Sequence, residues 1–227
     1  MVIITLILYI NVAMKLFITL TLVFLFFTSC VSVSVNYMLP KRIKHLFYYY
    51  NGKKTGIDSL INIDGYYKMG LLYQKTDIYF KNFMFYQDGI FVFDFFDYNN
   101  NIPKYFRNIV ENNDKSFYRY SFWGHYIISA DTIKTQCINH PAPSLETDRL
   151  VYEIWFKVID KNTLQCIYYK NLYRNYEKYP QNSIETKNFL HANFIPIELR
   201  PNSDCWLKKK KWFWCDKEKW KEYMKHP

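Results

Sequence analysis

The sequence lacks the cysteine and histidine spacings that are typical of metal sites. It has five cysteines, none of them in a Cys-x-x-Cys pair, and its five histidines are scattered at positions 45, 125, 140, 191 and 226. Structural metal sites usually take their ligands from such closely spaced pairs. We therefore expect no metal, and no motif in the chain indicates a cofactor.

Glycine and alanine are also scarce, whereas aromatic residues make up 21% of the 227 residues, with 22 Tyr and 19 Phe. Aromatic side chains pack well on pleated, half-buried sheets, so this composition favours β-structure. The codon bias of an AT-rich genome would produce a similar composition. Half of the residues are hydrophobic and only 22% are charged, which excludes a disordered chain and predicts one folded domain.

Acidic residues are fewer than basic ones, and the formal net charge is +10. A basic surface attracts anionic partners such as lipid headgroups, nucleic acid or acidic glycans. Charge of this size also serves solubility alone. The charge by itself does not choose between these roles.

The chain has no uncharged apolar run of transmembrane length in its leader. Residues 16–29 form a shorter uncharged apolar run, of fourteen residues, directly after Met14 and Lys15. The run suits the apolar core of a signal peptide and is shorter than the roughly 20 residues that a spanning helix needs. Because residues 2–13 are also apolar, a start at Met1 would bury Lys15 in a longer segment, so we expect Met14 to be the true initiator and 1–29 to be the signal peptide.

The run ends in Phe27-Thr28-Ser29-Cys30, which resembles the lipobox of bacterial lipoproteins, with Phe27 in place of the usual Leu. The resemblance implies that the Cys30 thiol carries a diacylglyceryl group, that the leader is cut before it, and that the new amino terminus is acylated, for example with palmitate. Several acyl chains together anchor a protein stably. An uncleaved membrane anchor and an ordinary secretory leader are the alternatives.

No acidic residue follows Cys30 directly. In the lipoproteins that this leader resembles, an Asp there signals inner-membrane retention and acidic clusters accompany surface display. The resemblance thus implies an outer-membrane anchor that faces the periplasm. Residues 30–58, which show no steady hydrophobic period, are expected to form a lipidated tether with a short helix.

Three hairpins are predicted in the body, residues 59–200. Asp88-Gly89 fits a two-residue type I′ turn that pairs Tyr86 with Phe91 and Phe85 with Val92. Both faces of that hairpin are largely apolar, which predicts a lumen on one side and a covering segment on the other. The second hairpin turns at Ala130-Asp131 and pairs Ile128 with Ile133. The third begins at Leu150, turns at residues 160–163, and places Tyr152, Ile154, Phe156 and Val158 on one face.

These hairpins and their neighbours predict about eight strands with up-and-down antiparallel connectivity, closed into a barrel that hides its edges. The segments centre near Tyr66, Ile78, Ile90, Tyr118, Ile133, Val151, Ile167 and Phe194, and the last spans 189–196, where Pro196 ends it. The stretch Trp123–Ile133 resembles that of small lipoproteins with a lipocalin-like barrel. An open sheet or a sandwich is the alternative.

In residues 201–227, Ser203-Asp204 can cap a helix start, and a short amphipathic helix is expected from Asp216 to Lys225.

Three groups of residues are candidate sites. In a lipocalin-like barrel the aromatic interior would bind an apolar ligand, with Trp123, Tyr126 and Trp155 as candidate pocket residues. Clustered Lys and Trp suit an anionic bilayer surface or form a solvated patch beside core aromatics. Cys205 and Cys215 are the closest pair in sequence and could form a disulfide in an oxidising envelope. The membrane-contact candidates are Lys208, Lys209, Lys210, Lys211, Trp212 and Trp214.

These features support two hypotheses about function. The first is a non-enzymatic, lipid-anchored envelope protein that binds a small apolar ligand or acts as an accessory subunit of an envelope complex. The second is a hydrolase of envelope polymers, for which His125, Glu153 and Asp131 are the best candidates. Export argues against a nucleic-acid partner, although aromatic and basic residues would suit one.

Overall fold

The computed structural model describes residues 14–15, 50–73, 77–95, 101–139, 151–172 and 189–225. The chain divides into the units Met1–Leu39 and Pro40–Pro227. Met14 and Lys15 are helical, and Cys30 lies outside the described residues. Within these ranges, no helix is both long and apolar enough to cross a bilayer.

Residues of the larger unit form a closed antiparallel barrel of eight strands in sequence order, as the periodicity predicted. Each strand pairs with the next along the chain, and the last pairs with the first. The strands are β1 Gly65–Tyr73, β2 Asp77–Phe85, β3 Ile90–Phe93, β4 Phe122–Ser129, β5 Thr132–Asn139, β6 Val151–Asp160, β7 Thr163–Asn171 and β8 Phe189–Pro196.

The two ends of the barrel differ in their connections. Short turns join β2 to β3, β4 to β5 and β6 to β7, and we call this the hairpin end. The longer connections after β3, β5 and β7 leave from the opposite end, the loop end. Because all neighbours are antiparallel, the amino end of β1 and the carboxyl end of β8 also lie at the hairpin end.

Two of the predicted hairpins are confirmed. Ile128 pairs with Ile133 across the Ala130-Asp131 turn, where Ala130 adopts a positive φ of 55°. Strands β6 and β7 turn at Lys161-Asn162. The last strand spans the predicted residues and ends at Pro196.

The predicted register of the first hairpin is wrong by one residue. Phe85 pairs with Phe91 rather than with Val92. The amide of Gly89 donates to the Tyr86 carbonyl, and the amide of Tyr86 donates to the Ile90 carbonyl, so residues 87–89 form the loop. Only Gly89 of that loop has a positive φ, which is the geometry of a type I turn followed by a glycine bulge. Both faces are buried, as expected.

Two helices precede β4, and the sequence pattern did not predict them. Helix α1 spans Ile102–Glu111 and α2 spans Ser116–Tyr120, so the strand expected near Tyr118 is wrong and β4 begins at Phe122. The Asn101 side chain accepts a hydrogen bond from the Lys104 amide and caps α1. Phe106 and Phe117 pack against Trp123 and Phe95 on the outer face of the sheet. These helices form a second, aromatic layer.

The carboxyl-terminal segment follows the prediction in part. Helix α3 spans Lys217–Tyr223, and the Asp216 side chain accepts hydrogen bonds from the amides of Glu218 and Lys219. The residues after Ser203-Asp204 form two short 3₁₀ helices, Trp206–Lys209 and Lys211–Phe213. No α3 residue is buried, so α3 is peripheral.

Candidate functional site

The lumen of the barrel is occupied by aromatic rings from opposite walls. Strands β2 and β6 face each other across the eight-stranded ring, and the rings of Phe83 and Phe156 stack with centroids 4.6 Å apart. Strands β3 and β7 also face each other, and the rings of Phe93 and Tyr169 lie 6.4 Å apart. Further rings and aliphatic side chains complete one buried cluster. At these two levels, side chains span the lumen from wall to wall.

The hairpin end is closed by residues 55–63, which lie across it. The amide of Thr55 donates to the Gln87 carbonyl in one hairpin, and the amide of Asn62 donates to the Lys161 carbonyl in another. Between these points a 3₁₀ helix, Ile57–Ser59, leads to Ile61, and Ile57 and Ile61 are fully buried in the core cluster. Residues 50–58, assigned above to the tether, therefore belong to the folded body. We call residues 55–63 the plug.

The loop end of the lumen is more polar. Lys81 pairs with Asp94 there, and both side chains are partly exposed. Burial raises the pKa of Tyr169 well above its ordinary value, and the Tyr152 and Asp94 side chains nearby act in the same direction. Burial likewise raises the pKa of the Cys137 thiol. The Tyr169 hydroxyl and the Cys137 thiol are therefore neutral at physiological pH.

The three predicted pocket residues do not share a pocket. Tyr126 faces the lumen, where its hydroxyl donates to the Tyr86 carbonyl at 2.7 Å and lies 2.5 Å from the Thr55 hydroxyl. Trp123 is on the outer face beneath Phe117 and Tyr118. Trp155 is also on the outer face. Its ring centroid lies 4.7 Å from that of Tyr168, and the Lys134 ammonium lies over the Trp155 ring. Strand alternation separates them, because only even-numbered residues of β4 and β6 point inward there.

The candidate hydrolase residues are dispersed. His125 and Glu153 are both on the outer face, separated by Gln136 on the strand between them, which puts them about 10 Å apart. Asp131 lies in the turn at the hairpin end. Burial lowers the pKa of His125 to about 3, so its imidazole is neutral and a weak base. The three do not converge on one cleft.

Lys208, a membrane-contact candidate, is instead a buried member of an ion-pair cluster. Its side chain is 7% exposed, and its ammonium lies 2.7 Å from a carboxylate oxygen of Asp88. It also donates to the Ser203 hydroxyl at 2.8 Å, and that hydroxyl donates to Asp88. This cluster joins the carboxyl-terminal segment to the β2–β3 turn, a contact that sequence spacing could not show.

The other membrane-contact candidates divide by exposure. Lys209, Lys210 and Lys211 are exposed, and Trp212 is half-buried. Trp214 is buried, and its indole N–H donates to the Lys208 carbonyl. A cleft of about 400 Å³ lies beside it, lined by Asn51, Gly52, Trp214, Lys219, Glu222 and Tyr223.

The structure does not join Cys205 to Cys215, contrary to the predicted disulfide. Cys205 is buried next to the first carboxyl-terminal 3₁₀ helix, whereas Cys215 is exposed beyond the second, and Cys137 and Cys166 are free and buried. Burial raises the pKa of the Cys205 thiol to about 12. A thiol with so high a pKa is a poor nucleophile for disulfide exchange.

Within the described residues, no group of three or more His, Cys, Asp or Glu side chains is arranged to hold a metal ion. Comparisons with known proteins give no match to a protein-family model, to a curated protein or to a solved structure.

Proposed function

We propose that this chain is a non-enzymatic lipoprotein of a bacterial envelope, anchored through Cys30 to the outer membrane and facing the periplasm. Its barrel acts through its outer surface, as an accessory subunit of an envelope complex, and not as a carrier of an internal ligand. The anchor is inferred from the leader and from the Phe27-Thr28-Ser29-Cys30 motif. The surface role is inferred from the filled lumen.

The observation that carries the surface role is the stack of Phe83 on Phe156. These rings come from opposite walls and meet at 4.6 Å, which is contact distance for aromatic rings. An apolar ligand at this level would have to displace one of them. With the plug closing the hairpin end, little room is left for a ligand of lipid size in this half of the barrel.

Two observations favour this surface role over the ligand-binding and hydrolase hypotheses drawn from the sequence. Trp123 and Trp155, which a ligand-binding lumen would use, are both on the outer face. His125, Glu153 and Asp131 are too far apart to act on one substrate atom, which weighs against the hydrolase.

Native mass spectrometry of the membrane-extracted protein tests the surface role. We expect the native and denatured masses to agree once detergent is removed, because rings from opposite walls already meet in the lumen. Phe156→Ala, which vacates one ring, is the positive control and should bind an added ring-sized probe such as indole. A stoichiometric apolar adduct on the unmodified protein, lost on denaturation, would contradict the proposal.

A further inference from the structure

The chain enters the folded body beside its own carboxyl-terminal segment. Tyr50 forms a parallel bridge with Trp214, and the amide of Cys215 donates to the Tyr50 carbonyl at 2.8 Å. The Tyr50 ring stacks on Phe213 with centroids 4.7 Å apart. The residues that lead back to Cys30 therefore leave the described body next to residues 213–215.

That carboxyl-terminal segment is strongly basic. Residues 205–225 carry eight lysines and only three acidic residues. Lys208 is withdrawn from solvent by Asp88, but the others are exposed or half-buried. We call the fully exposed ones, Lys209, Lys210, Lys211, Lys217, Lys221 and Lys225, the lysine face.

The connection at the other end of the barrel has no such bias. Residues 94–121, which join β3 to β4 from the loop end, carry four basic and four acidic residues. The excess of positive charge is thus found in the segment beside which the tether arrives, and not in the β3–β4 connection. Neither the burial of Lys208 nor the α3 cap requires six exposed lysines there.

We propose that the lysine face docks on the anionic lipid headgroups of the membrane that holds Cys30, so that the hairpin end of the barrel lies towards the bilayer. This inference rests on the proposed lipid anchor. The nineteen residues from 31 to 49 reach at most about 65 Å when fully extended, so the barrel stays close to the surface. A tether of this length gives the second contact an effective concentration in the millimolar range.

Tethering makes a weak electrostatic contact sufficient. Each lysine near an anionic bilayer strengthens binding by roughly fivefold, and the effect falls off within a Debye length of about 8 Å. Docking should therefore depend on anionic lipid and be lost at high salt.

Amine acetylation followed by peptide mass spectrometry tests the orientation. The membrane-extracted lipoprotein is reconstituted in nanodiscs of phosphatidylcholine alone or with about 30 mol% phosphatidylglycerol, a surface that attracts polybasic segments. We expect Lys209–Lys211 to react at least about fivefold more slowly on the anionic discs, and the difference to vanish in about 0.5 M NaCl. The exposed Lys104 and Lys115 should react equally on both. Equal rates for Lys209–Lys211 on the two discs would overturn the proposal.

A pair of triple variants with the same loss of charge separates this surface from net charge. In Lys209→Gln/Lys210→Gln/Lys211→Gln, the protection of Lys217 and Lys221 should disappear. In Lys104→Gln/Arg107→Gln/Lys115→Gln, it should persist, since these side chains are exposed at α1 and α2. Equal effects of the two variants would mean that net charge, and not the lysine face, governs docking.

The inference can fail separately from the anchor. If the protein proves unlipidated, it is mixed with phosphatidylglycerol vesicles at low salt. Cosedimentation abolished by the first variant alone would keep the lysine face while the anchor fails. Binding to RNA but not to vesicles would overturn the lysine face as a lipid-binding surface.

Discussion

Lys208 shows how far the role of a residue depends on its partners. Four consecutive lysines look alike in the sequence, yet only this one lies against Asp88, 120 positions earlier, and becomes buried. Breaking a buried ion pair from one side is costly because the remaining charge loses its partner. The identity of the buried lysine was therefore beyond sequence reasoning.

We expect Lys208→Met to lower the free energy of unfolding by about 2 kcal/mol, less than for a fully buried pair because Asp88 is partly exposed. Lys209→Met, an exposed neighbour, should change it by less than about 0.5 kcal/mol. Urea denaturation of the two variants measures the difference. Equal stability of both would contradict the cluster.

His125 should give folding a distinct pH dependence. Burial lowers its pKa from 6.5 to about 3, so the folded state keeps it neutral while the unfolded chain takes up a proton. The stability that it contributes is present above pH 6.5 and is lost as pH falls towards 3. The expected slope in this window is about 1.4 kcal/mol per pH unit.

Denaturation midpoints between pH 7 and 4.5 test this slope. His125→Asn should remove the corresponding part of the pH dependence, whereas His191→Asn, at an exposed position on β8, should leave it in place. If the two variants retain the same slope, His125 is not held neutral by the fold.

At the scale of elements, local signals located most strands but not every register. Alternation predicted β4, β5 and β6 because each has one face in the core. The register predicted from Asp88-Gly89 was wrong because the same dipeptide suits both a type I′ turn and a type I turn with a glycine bulge. The choice between them depends on tertiary contacts, such as the bond from Thr55 to Gln87.

Helix α1 was missed although its signals are present. Asn101 followed by Pro103 is a common helix start, and Ile102, Phe106 and Ile109 recur at helical spacing and are all buried. The abundance of Tyr and Phe around it favoured strands. The strand prediction, which came from the aromatic composition, was therefore wrong here, whereas the helical spacing of the buried residues was the correct signal.

The plug is an element whose contribution can be measured. Ile61 is fully buried where the plug closes the hairpin end. Ile61→Ala should lower the free energy of unfolding by about 3 kcal/mol, because it leaves a cavity among well-packed side chains. Ile159→Ala, at an exposed site on β6, should cost less than about 1 kcal/mol. A small, equal effect at both sites would show that the plug does not seal the barrel.

At the scale of the whole molecule, aromatic residues build two layers, one inside the barrel and one under α1 and α2. The sequence predicted the barrel from strand count and spacing, but it could not show whether the lumen was open. That property depends on which rings meet across the barrel, such as Phe83 and Phe156. The same limit applies to Trp123 and Trp155, whose side of the sheet decided their role.

Removing an aromatic ring from the lumen should lower the free energy of unfolding far more than removing one from the exposed surface. Phe156→Ala should lower the free energy of unfolding by about 4 kcal/mol through lost contacts and a new cavity. Phe80→Ala, at a site that is 53% exposed, should cost less than about 1 kcal/mol. Thermal denaturation of both variants measures the contrast, and similar midpoints would indicate a loosely filled lumen.

The intact mass of the native product, extracted from membranes, tests the central claim of a lipid-anchored barrel most directly. We predict a chain that begins at Cys30 and carries the added mass of a diacylglyceryl group and an amide-linked fatty acid. An unlipidated protein recovered from the soluble cytosol, with residues 14–29 still attached, would contradict it.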